Sequence, residues 1–190
     1  MPAFGVPAVA TGAIHYRRPA GFSGRRLRKG VEVRGAPAEV WKAWTTKEGL
    51  RSFMAPDARV SLEIGGSFEP LFDLESPPGS QGGEGLQFLS YLPPEMLSFT
   101  WNAPPDHPTI RSQFHTWVVV RFLPEGADRT RVLLDHLGWG TGEKWDKVYA
   151  YFDRAWDLVL ARLVHRFEAG PINWTDPYRP PKDWTATLPP

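Results

Sequence analysis

Cysteine is absent from this chain of 190 residues. Its absence excludes a disulfide framework, a thiolate nucleophile and any metal site with cysteine ligands. Apolar runs are short as well, and none approaches the roughly 18 residues that a membrane-spanning helix requires. The formal net charge is +1, so overall charge does not favour binding to nucleic acid or to an anionic membrane. We therefore predict a cytoplasmic protein without a membrane span.

Several catalytic and cofactor motifs are also missing. The sequence contains no glycine-rich phosphate-binding loop, no G-x-S-x-G nucleophile elbow and no H-E-x-x-H zinc motif. Its five histidines are dispersed, and basic residues are not interleaved with aromatic ones as in proteins that bind single strands. These observations predict no metal, no cofactor and no nucleic-acid partner. They disfavour an enzyme without excluding one, because catalytic groups can converge from distant positions.

Charge is unevenly distributed at the N-terminus. Residues 1–30 contain no acidic residue, and their basic residues are Arg17, Arg18, Arg25, Arg26, Arg28 and Lys29. Such a segment could contact phosphate or lipid headgroups, although a solvated leader is the favoured interpretation. We predict a basic, loosely ordered leader rich in Gly and Pro over 1–26, one domain over 27–170, and a tail rich in Pro and Trp over 171–190. The tail could be a floppy extension or a strap across the surface through Trp174, Tyr178 and Trp184.

The pattern along the domain predicts a strand, two helices, six further strands and a long helix. Thr45 or Thr46 is the expected N-cap of the second helix. Gly65-Gly66 predicts a two-residue hairpin turn between two strands, and residues 103–113 form a Pro-rich connection. Over residues 143–168 apolar side chains recur at helical spacing, which predicts one long amphipathic helix with Thr141 as its N-cap.

These elements predict an α+β fold of the helix-grip type. Most consecutive strands are joined by short turns, which favours antiparallel pairing. A helix of about 25 residues needs a large apolar surface to cover, and only the concave face of a twisted sheet provides one. We therefore predict a seven-stranded antiparallel curved sheet wrapped around the long C-terminal helix, with two short helices after strand 1. A cavity remains between sheet and helix unless large side chains fill it.

Four segments carry a resemblance to a known family. They are "VEVRGAPAEVWKAWTTKEGLRSFM" (31–54), "EIGGSFEP" (63–70), "FHTWVVVRFLP" (114–124) and "LLDHLGWGTGEKWDKVYAYFDRAWDLVLARL" (133–163). Together with the order of elements, they are similar to the START-like superfamily, also called SRPBCC, and within it to the bacterial branch named after the activator of the heat-shock-protein-90 ATPase. The resemblance implies the helix-grip fold and a deep hydrophobic cavity under the C-terminal helix. Relatives bind lipids, sterols, hormones or polyketides and a few are catalysts, so the resemblance does not imply one chemistry.

His136 is the most informative polar residue. Alternation places it on the inner face of its strand with Val132 and Leu134, while Asp135 points the other way. A buried imidazole requires a hydrogen-bond partner. Two interpretations stay open: a core histidine satisfied by its neighbours, or a pocket group that anchors a ligand or acts as general acid/base. His136 is accordingly the one weak catalytic candidate. His115, on the face opposite Phe114, ranks lower.

Aromatic residues form the second group of candidates. Nine of them are tryptophans, and large rings both bury area and leave irregular gaps. Packing alone accounts for most of them, and Phe53, Trp101, Tyr149 and Phe152 are the favoured cavity walls. Polar contacts could come from Asn102, Arg111, Gln113 and Asp135. The full predicted ligand-binding set is Trp44, Phe53, Phe68, Phe72, Phe88, Trp101, Trp117, His136, Trp145, Tyr149 and Phe152.

Three functions are compatible with this sequence. The favoured one is binding of a hydrophobic or aromatic small molecule in a cavity between sheet and C-terminal helix. The second is an enzyme related to cyclases, dehydratases or hydrolases, with His136 as general acid/base. The third is a protein-interaction module related to chaperone regulation that uses an exposed face and the terminal extensions. Exposed aromatic strands could also support a homodimer.

Overall fold

The computed structural model describes residues 13–14, 16–17, 19 and 21–187 of the chain. The strands are β1 (Leu27–Val33), β2 (Asp57–Val60), β3 (Phe68–Leu71), β4 (Phe88–Leu92), β5 (Met96–Trp101), β6 (Thr116–Pro124) and β7 (Thr130–Leu137). The helices are α1 (Pro37–Thr45), α2 (Lys47–Arg51), α3 (Pro108–Gln113) and α4 (Glu143–Ala169). No helix in these ranges is both long and apolar enough to cross a membrane.

All strand pairs are antiparallel, and the seven strands form a curved sheet in two parts. Five strands run in the order β1-β7-β6-β5-β4, and β2 pairs with β3. The β2-β3 hairpin continues onto β4, because Ser67 bridges to Gln87 and the amide of Phe68 donates to the carbonyl of Leu86. The predicted α+β helix-grip fold, with two short helices after β1, is confirmed.

Helix α4 covers the concave face of this sheet. Strands β6 and β7 alternate, so Val118, Val120, Val132 and Leu134 point into the core and have no exposed surface. The helix presents one stripe of buried residues to them: Trp145, Val148, Phe152, Trp156, Val159, Leu160, Ala161 and Leu163. Helical spacing places these apolar residues on one face of α4, and burial of that face stabilises the packing of α4 against the sheet.

The connection between β5 and β6 differs from the prediction. Residues 103–113 were expected to be irregular, but residues from Pro108 to Gln113 form helix α3. Pro108 occupies the first turn, where its fixed φ favours a helix, and Ile110 is buried. The guanidinium of Arg111 reaches back to the carbonyl of Ala103 at 2.8 Å. Tertiary contacts therefore stabilise a helix that is too short to be recognised from propensity.

Two predicted caps and one predicted turn are settled by the backbone. Thr46 caps α2 as expected, since its hydroxyl accepts from the amide of Gly49 at 3.0 Å. The N-cap of α4 is Gly142 rather than Thr141, because its φ of 96° suits glycine and disfavours a β-branched residue. The two-residue turn at Gly65-Gly66 is wrong: β2 ends at Val60 and the loop spans 61–67.

Residues just before β1 lie against the outer face of the sheet. The ring of Phe22 stacks on Trp117 with a centroid distance of 6.2 Å, and the amide of Ser23 donates to the carbonyl of Trp139. Much of the predicted leader, namely residues 1–12, 15, 18 and 20, lies outside the described residues. Its loose order stays a prediction.

Candidate functional site

Strand β7 carries His136 into the interior of the protein. The side chain lies in line with Val132 and Leu134, and the residue has no exposed surface. Asp135 points to the opposite face, where it forms an ion pair with Arg26. The predicted orientation of this strand is confirmed.

The chain turns immediately after β7, at Gly138. Its φ is 92°, and a Cβ there would lie 2.7 Å from the ring of Trp117, so only glycine fits. The turn directs Trp139 back under the strand, where its indole Nε1–H donates to the carbonyl of His136 at 2.9 Å. The two ring centroids are 4.1 Å apart. The Gly-Trp-Gly segment therefore covers one side of the imidazole.

Both nitrogens of His136 have partners. The indole Nε1–H of Trp156 donates to Nδ1 at 3.0 Å, and because indole is only a donor, Nδ1 carries no proton. The proton is therefore on Nε2, which donates to the hydroxyl of Thr116 at 2.6 Å. That hydroxyl donates in turn to the carbonyl of Trp101 at 3.2 Å. This chain of hydrogen bonds satisfies every polar atom along it.

Burial also keeps this imidazole neutral. Desolvation lowers the pKa of His136 well below its ordinary value, and protonation of Nδ1 would remove its bond from Trp156. The rings of Trp139, Phe152 and Trp156 surround it. The arrangement is that of a core histidine satisfied by its neighbours.

Three aromatic residues separate His136 from the open space beside α4. Trp101 ends β5, and Phe152 and Trp156 lie one turn apart on α4. The rings of Trp101 and Trp156 have centroids 5.0 Å apart, and those of Trp101 and Phe152 are 6.3 Å apart. We call these three residues the aromatic wall. Its inner side faces His136, and its outer side forms the base of a cleft.

The first part of the cleft, its apolar compartment, has a volume of about 390 Å³. Four parts of the fold contribute to it: α4, the ends of β3 and β5, the turn after α2, and the chain after α4. The lining residues are Met54, Pro56, Phe72, Trp101, Tyr151, Phe152, Ala155, Trp156, Leu158, Val159, Arg162, Trp174 and Pro177. All but Arg162 are apolar or aromatic, so this compartment favours an apolar ligand group.

The second part, the polar compartment, has a volume of about 380 Å³ and shares four lining residues with the first. The shared residues are Phe72, Trp101, Tyr151 and Phe152. The others are Asp73, Ser76, Ser80, Gln81, Gly82, Asn102, Pro104, Pro105, Asp106 and Arg111. Burial, and secondarily the charge of Asp106, raises the pKa of the Tyr151 phenol, which keeps its O–H available as a donor.

Internal hydrogen bonds shape the loop that encloses the polar compartment. The carboxylate of Glu84 accepts from the amides of Gly79, Gln81 and Gly82 at 2.7 to 2.8 Å. Arg111 then joins this loop to the segment after β5, because it donates to the carbonyl of Gly82 at 2.7 Å and pairs with Glu84 at 3.1 Å. The lining of this compartment is therefore fixed by one partly buried ion pair and several hydrogen bonds to the backbone.

The chain after α4 runs back along the helix and completes the apolar compartment. The indole of Trp174 donates to the carbonyl of Arg51 at 2.6 Å, and the guanidinium of Arg162 lies 5.1 Å from the Trp174 ring. Farther along, Tyr178 stacks on His165 at 4.2 Å, and the amide of Ala186 donates to Asp157 at 2.9 Å. Over residues 171–187 the tail is thus a strap, one of the two alternatives that the sequence left open.

The predicted ligand-binding residues occupy five different environments. Phe72, Trp101 and Phe152 line the cleft. His136 lies behind the aromatic wall, and Trp117 is on the outer face against Phe22. The core rings Trp44, Phe53, Phe68 and Phe88 have no exposed surface. Two residues of the first turns of α4 pack elsewhere, Trp145 against Phe114 and Tyr149 against Trp139.

Several cleft residues were not among the predicted set. Ala155 and Trp156 follow the predicted residue Phe152 by about one helical turn, so helical spacing pointed to both. Trp174 and Pro177 had no local signal, because their position depends on the return of the chain along α4. Of the proposed polar contacts, Asn102 and Arg111 line the polar compartment. Gln113 ends α3 outside the cleft, and Asp135 belongs to the outer face.

Asp135 is the centre of a separate charged cluster on the outer face. Its carboxylate pairs with Arg26, Arg28 and Arg121 within 3.1 Å. Burial would raise the pKa of Asp135, but its bonds to Arg26 and Arg28 outweigh burial, and the pKa is lowered. In the described part of the chain, no cluster of three or more His, Asp or Glu side chains is arranged to hold a metal ion.

Comparison with known proteins agrees with this architecture. The family model described as Activator of Hsp90 ATPase homolog 1-like protein matches residues 34–168. No curated protein matches the chain. Among solved structures, the Aha1 dimer from Colwellia psychrerythraea is 16% identical with a TM-score of 0.57, and the match covers 77% of this chain and 98% of that one.

Two further structures show the same fold. An HSP90 activator from Plasmodium falciparum is 19% identical, with a TM-score of 0.54, over 78% of this chain and 98% of that one. The AHSA1-like protein from Rhizobium etli is 19% identical, with a TM-score of 0.55, over 91% of this chain and 96% of that one. At these identities the likeness establishes the fold alone.

Proposed function

The chain belongs to the family of Activator of Hsp90 ATPase homolog 1-like proteins, and from this premise we propose that it binds a hydrophobic or aromatic small molecule in the cleft beside α4. One observation carries the proposal: a compartment of about 390 Å³ lies beside α4, at the ends of β3 and β5, and is lined mainly by aromatic and aliphatic side chains. Small-molecule sites have volumes of roughly 300–1,000 Å³ and this type of lining.

The rim of the cleft supports the same proposal. Phe72 is 41% exposed and Tyr151 is 50% exposed, although both are large and largely apolar. Exposed apolar residues that are grouped at the mouth of a hollow are typical of a binding site. A bound apolar ligand would cover part of this surface.

Another hollow, of about 630 Å³, lies at the C-terminal end of α4 and suits an apolar ligand less well. Its lining includes Arg34, Glu39, Lys42, Glu48 and Arg166. An apolar ligand there would desolvate charged groups without giving them partners, which is unfavourable.

The enzyme alternative receives little support from His136. A general acid or base must come within hydrogen-bond reach of its substrate, whereas this imidazole is fully buried and bonded through both nitrogens. A chaperone contact and a homodimer remain predictions, because the relatives with such names are below 20% identity to this chain. The cytoplasmic location also stays a prediction.

A fluorescent apolar probe tests the proposal. N-phenylnaphthylamine is neutral, and its emission increases in an apolar site. We expect saturable binding to the protein and to Ala150→Phe, an exposed control position on α4. Ala155→Phe places a ring in the apolar compartment and should weaken binding by roughly tenfold or more, since the space for the ligand is lost. Equal affinity of both variants would contradict the proposal, provided that their thermal unfolding shows both to be folded.

A further inference from the structure

Arg162 is the one charged residue among the described residues that line the apolar compartment. It follows Leu158, which also lines the compartment, by one turn of α4, and it is partly buried. Burial lowers the pKa of its guanidinium, and the positive charge of Arg179 lowers that pKa further. The group stays charged at neutral pH. A partly desolvated cation beside a second cation is stabilised by an opposite charge.

Two contacts with the strap hold the Arg162 guanidinium in one orientation. Its Nε donates to the carbonyl of Tyr178 at 3.1 Å, and the group lies 5.1 Å from the centroid of the Trp174 ring. The Trp174 indole is itself bonded to the carbonyl of Arg51 at 2.6 Å. The guanidinium is therefore oriented before a ligand arrives, which reduces the entropy that binding costs.

The rest of this guanidinium is free to bind a ligand. Among the described residues, Nη1 and Nη2 of Arg162 have no hydrogen-bond partner, and no carboxylate forms an ion pair with it. A planar guanidinium matches a carboxylate, which accepts two parallel hydrogen bonds from it. A single cation in an apolar compartment also matches a singly charged group better than a doubly charged phosphate, because the second charge would be desolvated without a partner.

The polar compartment, in contrast, disfavours an anion. Asp73 and Asp106 belong to its lining. Its arginine, Arg111, is already paired with Glu84 at 3.1 Å and donates to the carbonyls of Gly79, Gly82 and Ala103. The two parts of the cleft therefore differ in charge, and this difference gives an anionic amphipathic ligand one favourable orientation.

We propose that the ligand is an amphipathic carboxylate, whose aromatic or aliphatic body lies against the aromatic wall and whose carboxylate accepts hydrogen bonds from Nη1 and Nη2 of Arg162. This inference rests on the proposed function and adds the chemical class and the orientation of the ligand. The carboxylate would lie next to the strap, in the compartment that Asp73 and Asp106 do not line.

Three probes with one common body test the chemical class. Naphthylacetic acid, naphthylacetamide and naphthylethylamine carry an anionic, a neutral and a cationic polar end at neutral pH, and titration calorimetry measures their affinities. We expect the acid to bind roughly tenfold more tightly than the amide, because only the acid forms a charge-assisted pair with Arg162. The amine should bind most weakly, since Arg162 repels it.

Three variants test the role of Arg162. Arg162→Gln removes the charge and should bring the ratio of acid to amide affinity close to one. Arg162→Lys keeps the charge without the planar fork and should retain a preference for the acid of roughly two- to fivefold. Arg129→Gln, the same change at an exposed arginine outside the cleft, should leave the ratio unchanged. Because each ratio compares two ligands in one variant, a loosened strap that weakens both ligands does not alter it.

The outcomes separate this inference from the proposed function. Equal affinities for acid and amide, or tightest binding of the amine, would overturn the carboxylate assignment while leaving an apolar ligand site intact. A preference for the acid that is unchanged in Arg162→Gln would overturn the role of Arg162. If none of the three probes binds, the inference is overturned, and the titration with N-phenylnaphthylamine decides separately whether the proposed function stands.

Discussion

The two sides of the aromatic wall are built from the same residues but differ in how the adjacent space is filled. On the inner side, the rings of Trp139 and the wall enclose His136, and every polar atom of the imidazole has a partner. On the outer side, the same wall borders a hollow of about 390 Å³. The inner side therefore resembles an ordinary protein core, and the outer side resembles a binding site.

The difference arises from the chain that faces each side. The turn at Gly138 brings Trp139 directly against the imidazole. On the outer side the facing chain is the strap, and its Trp174 is held by Arg51 and Arg162 away from the wall. A curved sheet and a straight helix separate along their length and leave a gap between them. The ring of Trp139 fills this gap on the inner side, whereas no ring in the described part of the chain fills it on the outer side.

The largest expected effect comes from breaking the wall. Trp156→Ala removes a ring that is 1% exposed and leaves His136 Nδ1 without its donor. The loss of packing should lower the free energy of unfolding by about 3–5 kcal/mol. Tyr151→Ala, at the half-exposed rim of the cleft, should cost less than about 1 kcal/mol. Urea denaturation measures both values, and similar costs would contradict the difference between the two sides.

A smaller effect is expected from the hydrogen-bond chain of the inner side. Thr116→Val keeps the shape of the side chain but leaves His136 Nε2–H without an acceptor. An unsatisfied buried donor costs about 1–3 kcal/mol. Thr109→Val on the exposed face of α3 serves as the matched control, with a change near zero. If the two variants unfold at the same urea concentration, the hydrogen bonds between Trp156, His136, Thr116 and Trp101 do not stabilise the fold.

The buried His136 should also make the stability of the protein depend on pH. Because desolvation lowers the pKa of His136 in the folded protein, the unfolded chain takes up a proton below about pH 6.5 that the folded protein does not. The contribution of His136 to the free energy of unfolding is therefore fully present above that pH. It decreases as the pH falls, by at most about 1.4 kcal/mol per pH unit. His136→Gln lacks this contribution. Its stability difference from the unmodified protein should be smaller at about pH 5 than at about pH 7.5, and a difference that is constant with pH would contradict a neutral buried imidazole.

Much of the fold followed from the sequence, because periodicity reports burial directly. The stripe on α4 predicted its bounds to within one residue at the C-terminal end, and alternation in β7 predicted that His136 points inward. Gly138 and Gly140 marked the turn that positions Trp139. In each case the pattern is local, and the fold only has to bury it.

The cleft was less predictable, because ring size and spacing are alike in walls and in cores. Trp44 and Phe53 have the same signature as Trp101 and Phe152, yet only the latter pair borders a hollow. The contribution of Trp174 depends on a tertiary path through a Pro-rich tail that has no period. Asn102 was recognisable as a polar candidate, but its position in the cleft depends on the loop that Glu84 and Arg111 hold in place.

A two-dimensional NMR titration of the tryptophan indole N–H signals with N-phenylnaphthylamine would show whether a ligand binds beside α4. The nine indoles are distributed over the core, the wall, the strap and the outer face, so each region has its own reporter. We expect the signals of Trp101, Trp156 and Trp174 to shift and saturate together, while those of Trp44 and Trp117 remain in place. Shifts confined to Trp117, or none at the wall and the strap, would contradict a ligand site beside α4.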